Sequence, residues 1–336
     1  MEGQRFETNR VKLSDQLPLD TPYSVTMVPS SLCNFACTFC PARIIRRKAK
    51  IIPLQVATRI IDRANFPRPV KMLSLYNVGE PLLNEDLPLI ISHAKERKFC
   101  ERTSLVTNAV FLTPEKSRQL VGAGLDRLII SIYGLNDIDY ELVTNRKASF
   151  DQIWRNVRYF YGIKAQCHVH VKIIDRVATA DGRQDMFKSL FRDICDTYSI
   201  EPILPIWPSF RPEGEDPLLK RLCGEGLYKG VPAVDRLACH YPFYSMVVTS
   251  GGKVTPCLAD WNESLVLGNV TGAATLNTVW NSLAYQDFRF SQLAGKRRDH
   301  YLCSTCGTLR TATCPEDDID GDRVKLLNKL FPGGQL

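Results

Sequence analysis

The stretch Ser31-Leu32-Cys33-Asn34-Phe35-Ala36-Cys37-Thr38-Phe39-Cys40-Pro41 decides how this chain is read, because it crowds three thiols into one short segment directly after an apolar run at residues 23–28. Cysteines this close are metal ligands far more often than disulfide partners. An odd number suits a cubic iron–sulfur cluster in which one iron keeps no protein ligand, leaving a corner for a cofactor or substrate. A zinc knot completed by a fourth ligand from elsewhere is the other reading of this motif alone.

Working outward, residues 23 to about 207 alternate short β-branched runs with longer stretches of helical period, the pattern of βα units and a parallel sheet. It predicts strands at 23–28, 70–76, 103–107, 127–132, 169–174 and 202–206. Helices are expected at 54–64, 87–98, 114–121, 150–161 and 183–197, the third opening on Pro114. The expected fold is therefore α/β, a partial (β/α)6 TIM barrel. Ligands of parallel α/β folds collect at the carboxyl ends of the strands, and right-handed crossovers put the loops after strands two to five on the rim the cysteines occupy. Past residue 207 the pattern breaks into Arg211-Pro212-Glu213-Gly214-Glu215-Asp216-Pro217 and a glycine-rich run at 224–230, which reads as a linker covering the open side of the barrel. The expected organisation is an extension at 1–21, the barrel at 22–207, the linker at 208–238, a small α+β cluster domain at 239–315, and a helix and tail at 316–336.

With 336 residues, 44% hydrophobic and 24% charged, the chain can bury one large core and a smaller second one. Residues 1–30 mix Arg5, Glu7, Arg10, Lys12 and Asp15 with few apolar residues, so neither a signal peptide nor a membrane span is expected there, and no later run suits a span. Twelve cysteines without an export signal point to reduced thiols in the cytoplasm, available for metal. A net charge of +7 is modest and does not announce nucleic acid. The basic run Arg43, Arg46, Arg47, Lys48 and Lys50 reads as a solvated loop or as an anchor for an anionic substrate near the same rim.

A CxxxCxxC loop after a first strand, with Phe39 before the last cysteine, resembles the cluster loop of radical S-adenosylmethionine (SAM) enzymes. The resemblance implies that Cys33, Cys37 and Cys40 hold a 4Fe-4S cluster. It also implies that SAM chelates the open iron and that its reductive cleavage yields a 5′-deoxyadenosyl radical able to take hydrogen from carbon. Asn77-Val78-Gly79-Glu80-Pro81 at the end of strand two is similar to the family's GGEP motif, with Val78 for the first glycine, and implies that Gly79, Glu80 and Pro81 cradle the amino group of SAM. Val106-Thr107-Asn108-Ala109 is similar to its TNG run, with alanine for glycine. Ser131-Ile132-Tyr133-Gly134 stands where relatives carry Ser-Leu-Asp-Gly, and Tyr133 in the acidic position is expected to face the substrate. By the same resemblance Phe39, Asn108, Ser131 and Arg146 are cofactor contacts, and a flavodoxin- or ferredoxin-type protein is the electron donor.

Cys239, Cys257, Cys303 and Cys306 form a second constellation, with Cys314 close behind. Residues 245–249 and 253–256 flank Gly251-Gly252 as a hairpin, which brings Cys239 and Cys257 to one end of two strands, and Cys303 and Cys306 are a CxxC pair. A zinc ribbon or an iron–sulfur cluster satisfies this set. With Leu267-Gly268-Asn269-Val270 and Val279-Trp280-Asn281-Ser282 between its halves, it resembles the SPASM and twitch domains of radical SAM enzymes, in the twitch form with one auxiliary 4Fe-4S cluster. Cys314 is a spare thiol or an alternative ligand. Cys100, Cys167, Cys195 and Cys223 read as buried small hydrophobes, and His168 and His170 as packed or solvated.

Twitch relatives act on sugars and aminocyclitols, whereas many SPASM relatives modify peptides and often carry an extra domain before the barrel, for which the segment ahead of strand one is too short. The resemblance therefore implies hydrogen abstraction from a small sugar-like substrate and net two-electron oxidation of an alcohol. Peptide modification is the alternative, as are decarboxylation, elimination or epimerisation of a sugar or nucleoside. The non-enzymatic alternative is a zinc or iron–sulfur module.

Overall fold

The computed structural model describes residues 10–45, 50–179, 182–204, 206–210 and 231–334. Its sheet is built from β1 (Ser24–Met27), β2 (Val70–Leu75), β3 (Cys100–Thr107), β4 (Arg127–Ile132), β5 (His168–Ile174) and β6 (Thr197–Glu201), all parallel, then β7 (Ser245–Val248), β8 (Lys253–Thr255) and β9 (Gly268–Asn269). The order is β6-β5-β4-β3-β2-β1-β7-β8-β9. The six parallel strands with crossover helices make the partial barrel.

Each crossover helix buries a stripe at helical spacing. In Leu54–Asp62 it is Ala57, Ile60 and Ile61; in Phe150–Ile163 it is Ile153, Asn156, Val157 and Phe160. Side-chain caps fix two starts: Thr113 accepts from the Lys116 amide ahead of Pro114, and Ser149 from the Gln152 amide. The stripes meet Val25, Leu73, Leu105, Ile130 and Val171 of the sheet, all fully buried, each contributing about 1.5–3 kcal/mol of transfer free energy. Cys100, Cys167 and Cys195 join this core as small hydrophobes.

The hairpin is not detached from the barrel. β7 pairs in parallel with β1, from Ser24↔Ser245 to Met27↔Val248, and β8 and β9 extend the same sheet antiparallel. The sixth strand corrects the sequence reading: it is Thr197–Glu201, not residues 202–206, and the preceding helix stops at Phe191. Pro202 has no amide hydrogen to give a ladder, so the strand ends before it. Cys223, the linker runs at 211–217 and 224–230, and Arg46, Arg47 and Lys48 lie outside the described residues. No helix among the described residues is long and apolar enough to cross a membrane.

Candidate functional site

The loop carrying Cys33, Cys37 and Cys40 leaves the carboxyl end of β1 and is braced from behind. The Ala36 and Thr38 amides donate to the Thr144 and Val143 carbonyls at 2.8 and 3.1 Å, and Asn145 Nδ2 donates to the Ala36 carbonyl at 3.0 Å. Phe35 packs edge-on against Tyr133 at 5.9 Å, and Phe39 lies 6.0 Å from the same ring. Burial pushes the Cys33 thiol up to about 12 and Cys40 to about 11, with Cys37 raised well above the ordinary value. These sulfurs become thiolates only beside positive charge, such as a metal supplies.

The next loop locks onto this one. Gly79 has φ +123°, and a Cβ there would stand 2.1 Å from the Ser30 carbonyl oxygen, so only glycine fits. The Glu80 amide donates to the Leu32 carbonyl at 2.7 Å. Glu80 itself is buried, and its carboxylate accepts from Leu82 N at 3.0 Å, Thr107 Oγ1 at 2.6 Å and Asn108 N at 2.9 Å. Burial raises it to about 7 although all three donors pull it down, so among the described residues the carboxylate has no cationic partner in its pocket. Asn108 Nδ2 donates to Asn34 Oδ1 at 2.8 Å, tying the loop after β3 to the cysteine loop. Val78 replaces a family glycine at a position without positive φ, whereas Ala109 replaces one at φ +62°, a strained backbone for alanine.

Cys239, Cys257, Cys303 and Cys306 face the first set across one cavity of about 360 Å³, which both sets line together with Phe39, Gly79, Glu80, Asn108, Ser131 and Tyr133. Cys239 ends the approach to a short turn into β7, and Cys257 follows β8. Asp260 holds the loop beyond Cys257 by accepting from Ser264 N at 2.7 Å, Ser264 Oγ at 2.9 Å and Leu265 N at 2.9 Å. Burial pushes Cys303 up to about 12 and raises Cys239 and Cys257 well above the ordinary range. Arg297 is buried on the same wall, donating to the Cys303 and Arg236 carbonyls. Residues 206–210 close this side: Thr308 Oγ1 donates to the Ile206 carbonyl at 2.8 Å and Trp261 Nε1 to the Pro208 carbonyl at 2.8 Å.

Among the described residues no three His, Cys, Asp or Glu side chains converge as ligands of one ion must. Two sets made only of thiols, lining one cavity, are the donor type that iron–sulfur clusters take. Cys314 does not line the cavity; its Sγ donates to Glu316 Oε2 at 2.7 Å. Pro81 is buried behind the Glu80 turn rather than on the wall.

Arg146 is exposed and does not line the cavity; its Nη1 donates to the carbonyl of Asn145, a residue at φ +51°. Sequence reasoning missed Lys172, Glu201, Trp207 and Arg297, which all line the cavity. The signal for Lys172 was its place in the alternation His168, His170, Lys172 within a strand.

Comparison with known proteins agrees with this architecture. The Radical SAM superfamily model matches residues 27–173, and the SPASM model, an iron-sulfur cluster-binding domain, matches 239–307. The chain is 23% identical over 288 residues, 84% of its length and 92% of the relative's, to an S-adenosyl-L-methionine-dependent 2-deoxy-scyllo-inosamine dehydrogenase of Niallia circulans. It is 29% identical over 181 residues to a dTDP-4-amino-4,6-dideoxy-D-glucose ammonia-lyase of Streptomyces venezuelae, spanning 52% of this chain but only 36% of that protein. Its fold matches BtrN in complex with AdoMet and 2-DOIA at a TM-score of 0.55 and 19% identity, covering 88% of this chain and 97% of that one. It also matches anSMEcpe with bound AdoMet at 0.59 and 17%, covering 92% and 96%.

Proposed function

The chain belongs to the radical SAM superfamily and carries its SPASM iron–sulfur domain, and from that premise we propose that it oxidises a secondary alcohol of a sugar-like or aminocyclitol substrate to a ketone. SAM and the two 4Fe-4S clusters, when bound, supply hydrogen-atom abstraction from carbon and one-electron transfer. The observation that carries the reading is the shared cavity: a three-thiol set on one wall and a four-thiol set on the other, with room between for one small molecule.

In this reading Cys33, Cys37 and Cys40 hold the first cluster, and Cys239, Cys257, Cys303 and Cys306 the second. Glu80 receives the ammonium of SAM, which removes the cost of its burial. Gly79 lets the backbone approach, and Asn108 and Ser131 orient the cofactor from the rim. Phe35, Phe39 and Tyr133 exclude water over the first set. Lys172 and Glu201 present charge to substrate hydroxyl or amino groups from the neighbouring strands β5 and β6. A flavodoxin- or ferredoxin-type protein fits as electron donor.

The test is anaerobic incubation of reduced holoprotein with 2-deoxy-scyllo-inosamine deuterated at its carbinol carbons, with dTDP-linked 4-amino sugars, and with peptides. Deuterium in 5′-deoxyadenosine together with a ketone product supports alcohol oxidation. Redox-neutral elimination from a nucleotide-linked amino sugar is a second reading, favoured by the 29% identity to the ammonia-lyase; it gives ammonium and leaves the second cluster oxidised. Deuterium transfer from peptides alone rejects both.

A further inference from the structure

Oxidising a CH–OH group to C=O removes one hydrogen atom, one electron and one proton. The proposed cofactors take the first two. The proton needs a protein base and, from that base, a path to solvent.

β5 and β6 run side by side with His170 opposite Thr197 and Lys172 opposite Ser199. Their inward side chains form an unbroken line. At the cavity, Lys172 Nζ donates to Glu201 Oε2 at 3.0 Å, and both residues line the wall. Ser199 Oγ donates to Glu201 Oε1 at 3.2 Å and stands 2.9 Å from His170 Nε2. His170 is fully buried, and its Nδ1 lies 2.8 Å from Thr197 Oγ1. Thr197 Oγ1 is in turn 2.9 Å from Nε2 of His168, which is exposed at the amino end of β5.

With Glu201 ionised and His170 neutral, one placement of hydrogens serves all these contacts. Ser199 must give its only hydrogen to Glu201, so it accepts from His170 Nε2–H. His170 Nδ1 then accepts from Thr197, which accepts from His168 Nε2–H. Hydroxyl and imidazole groups that both give and receive hydrogens are what a proton relay is made of. A chain serving only to satisfy buried polar groups has no reason to run from the cavity to an exposed imidazole.

We propose that Glu201 takes the hydroxyl proton of the alcohol being oxidised, and that Ser199, His170, Thr197 and His168 conduct it to solvent at the far end of the barrel. The proposal rests on the alcohol-oxidation reading. Once Glu201 holds the proton, the chain first turns: the Ser199 and Thr197 hydroxyls rotate away from Glu201 and His170, and both imidazoles pass to the Nδ1–H tautomer, which leaves each Nε2 free to accept. The proton on Glu201 then passes to Ser199 Oγ, which gives its own to His170 Nε2. The imidazole releases its Nδ1 hydrogen to Thr197, Thr197 gives one to His168 Nε2, and His168 gives its Nδ1 hydrogen to water. Each conducting group has then gained one hydrogen and lost one, and the hops themselves return the chain to its starting placement. Lys172 stabilises the ionised form of Glu201 between turnovers.

Two measurements test this, one without substrate. In 15N-histidine-labelled holoprotein with oxidised clusters, His170 should show the Nε2–H tautomer. Ser199→Ala should shift the His170 signals alone, and Thr197→Val those of both His168 and His170. Unmoved signals in both variants would overturn the relay. In turnover of the aminocyclitol probe, Glu201→Gln should lower kcat by about a hundredfold or more. Thr197→Val should lower kcat by about tenfold and raise the solvent deuterium isotope effect, while Thr197→Ser restores both. Wild-type kcat and isotope effect in Thr197→Val would overturn conduction. Failure of the wild-type protein to oxidise any alcohol probe would reject the oxidation reading and the role of Glu201 with it, and the spectra distinguish that failure from a broken relay.

Discussion

Gly79 and Glu80 sit side by side and answer to different constraints. A methyl group on Gly79 would collide with the Ser30 carbonyl at 2.1 Å, and that carbonyl belongs to backbone that cannot swing aside. Gly79→Ala should therefore cost about 2 kcal/mol or more and displace the cysteine loop, lowering iron retained after reconstitution and weakening SAM binding in equilibrium dialysis. Glu80 is constrained by charge. Its carboxyl is raised from 4.5 to about 7 in the cofactor-free fold, so the folded state holds a proton that the unfolded state releases between those values. Stability of cofactor-free protein should thus decline as pH rises from about 4.5 to about 7, by an amount of order 3 kcal/mol, in urea unfolding followed across that window. SAM affinity should rise through the same range as Glu80 ionises, and a flat profile would remove the carboxylate from the binding site. Glu80, Asn108 and Ser131 were legible because each belongs to a contiguous motif at a strand end. Lys172 and Glu201 were not, because they meet only through the register of two strands.

At the scale of elements, the sequence was read well wherever burial on both faces left a continuous apolar run, as in β4. β6 escaped for the opposite reason. Thr197, Ser199 and Glu201 form its inward face, so its alternation is polar, and the apolar run just beyond it drew the assignment to residues 202–206. The hairpin β7–β8 was legible from Gly251-Gly252, with Gly252 at φ +76° where the turn requires it, but its pairing with β1 had no local signal. The loop after β8 is held by Asp260, a nearly buried carboxylate accepting three hydrogen bonds. Asp260→Ala should cost about 2–3 kcal/mol and loosen Cys257, so reconstituted protein should lose its second cluster faster under chelator, while the first is retained.

For the whole molecule, both thiol sets open on one cavity, and their occupancies can be counted separately. Reconstituted protein should hold about eight irons, and Cys257→Ala about four, by the rule of one cubane for each thiolate set. Four irons in the intact protein would eliminate the second cluster. The sheet that carries these sets is continuous across them. β1 launches the loop with Cys33, Cys37 and Cys40, and its other edge is hydrogen-bonded to β7, from whose hairpin Cys257 hangs. The span between the two thiol sets is therefore ruled by strand register rather than by a hinge, and a molecule entering the cavity meets two walls whose separation does not adjust to its size.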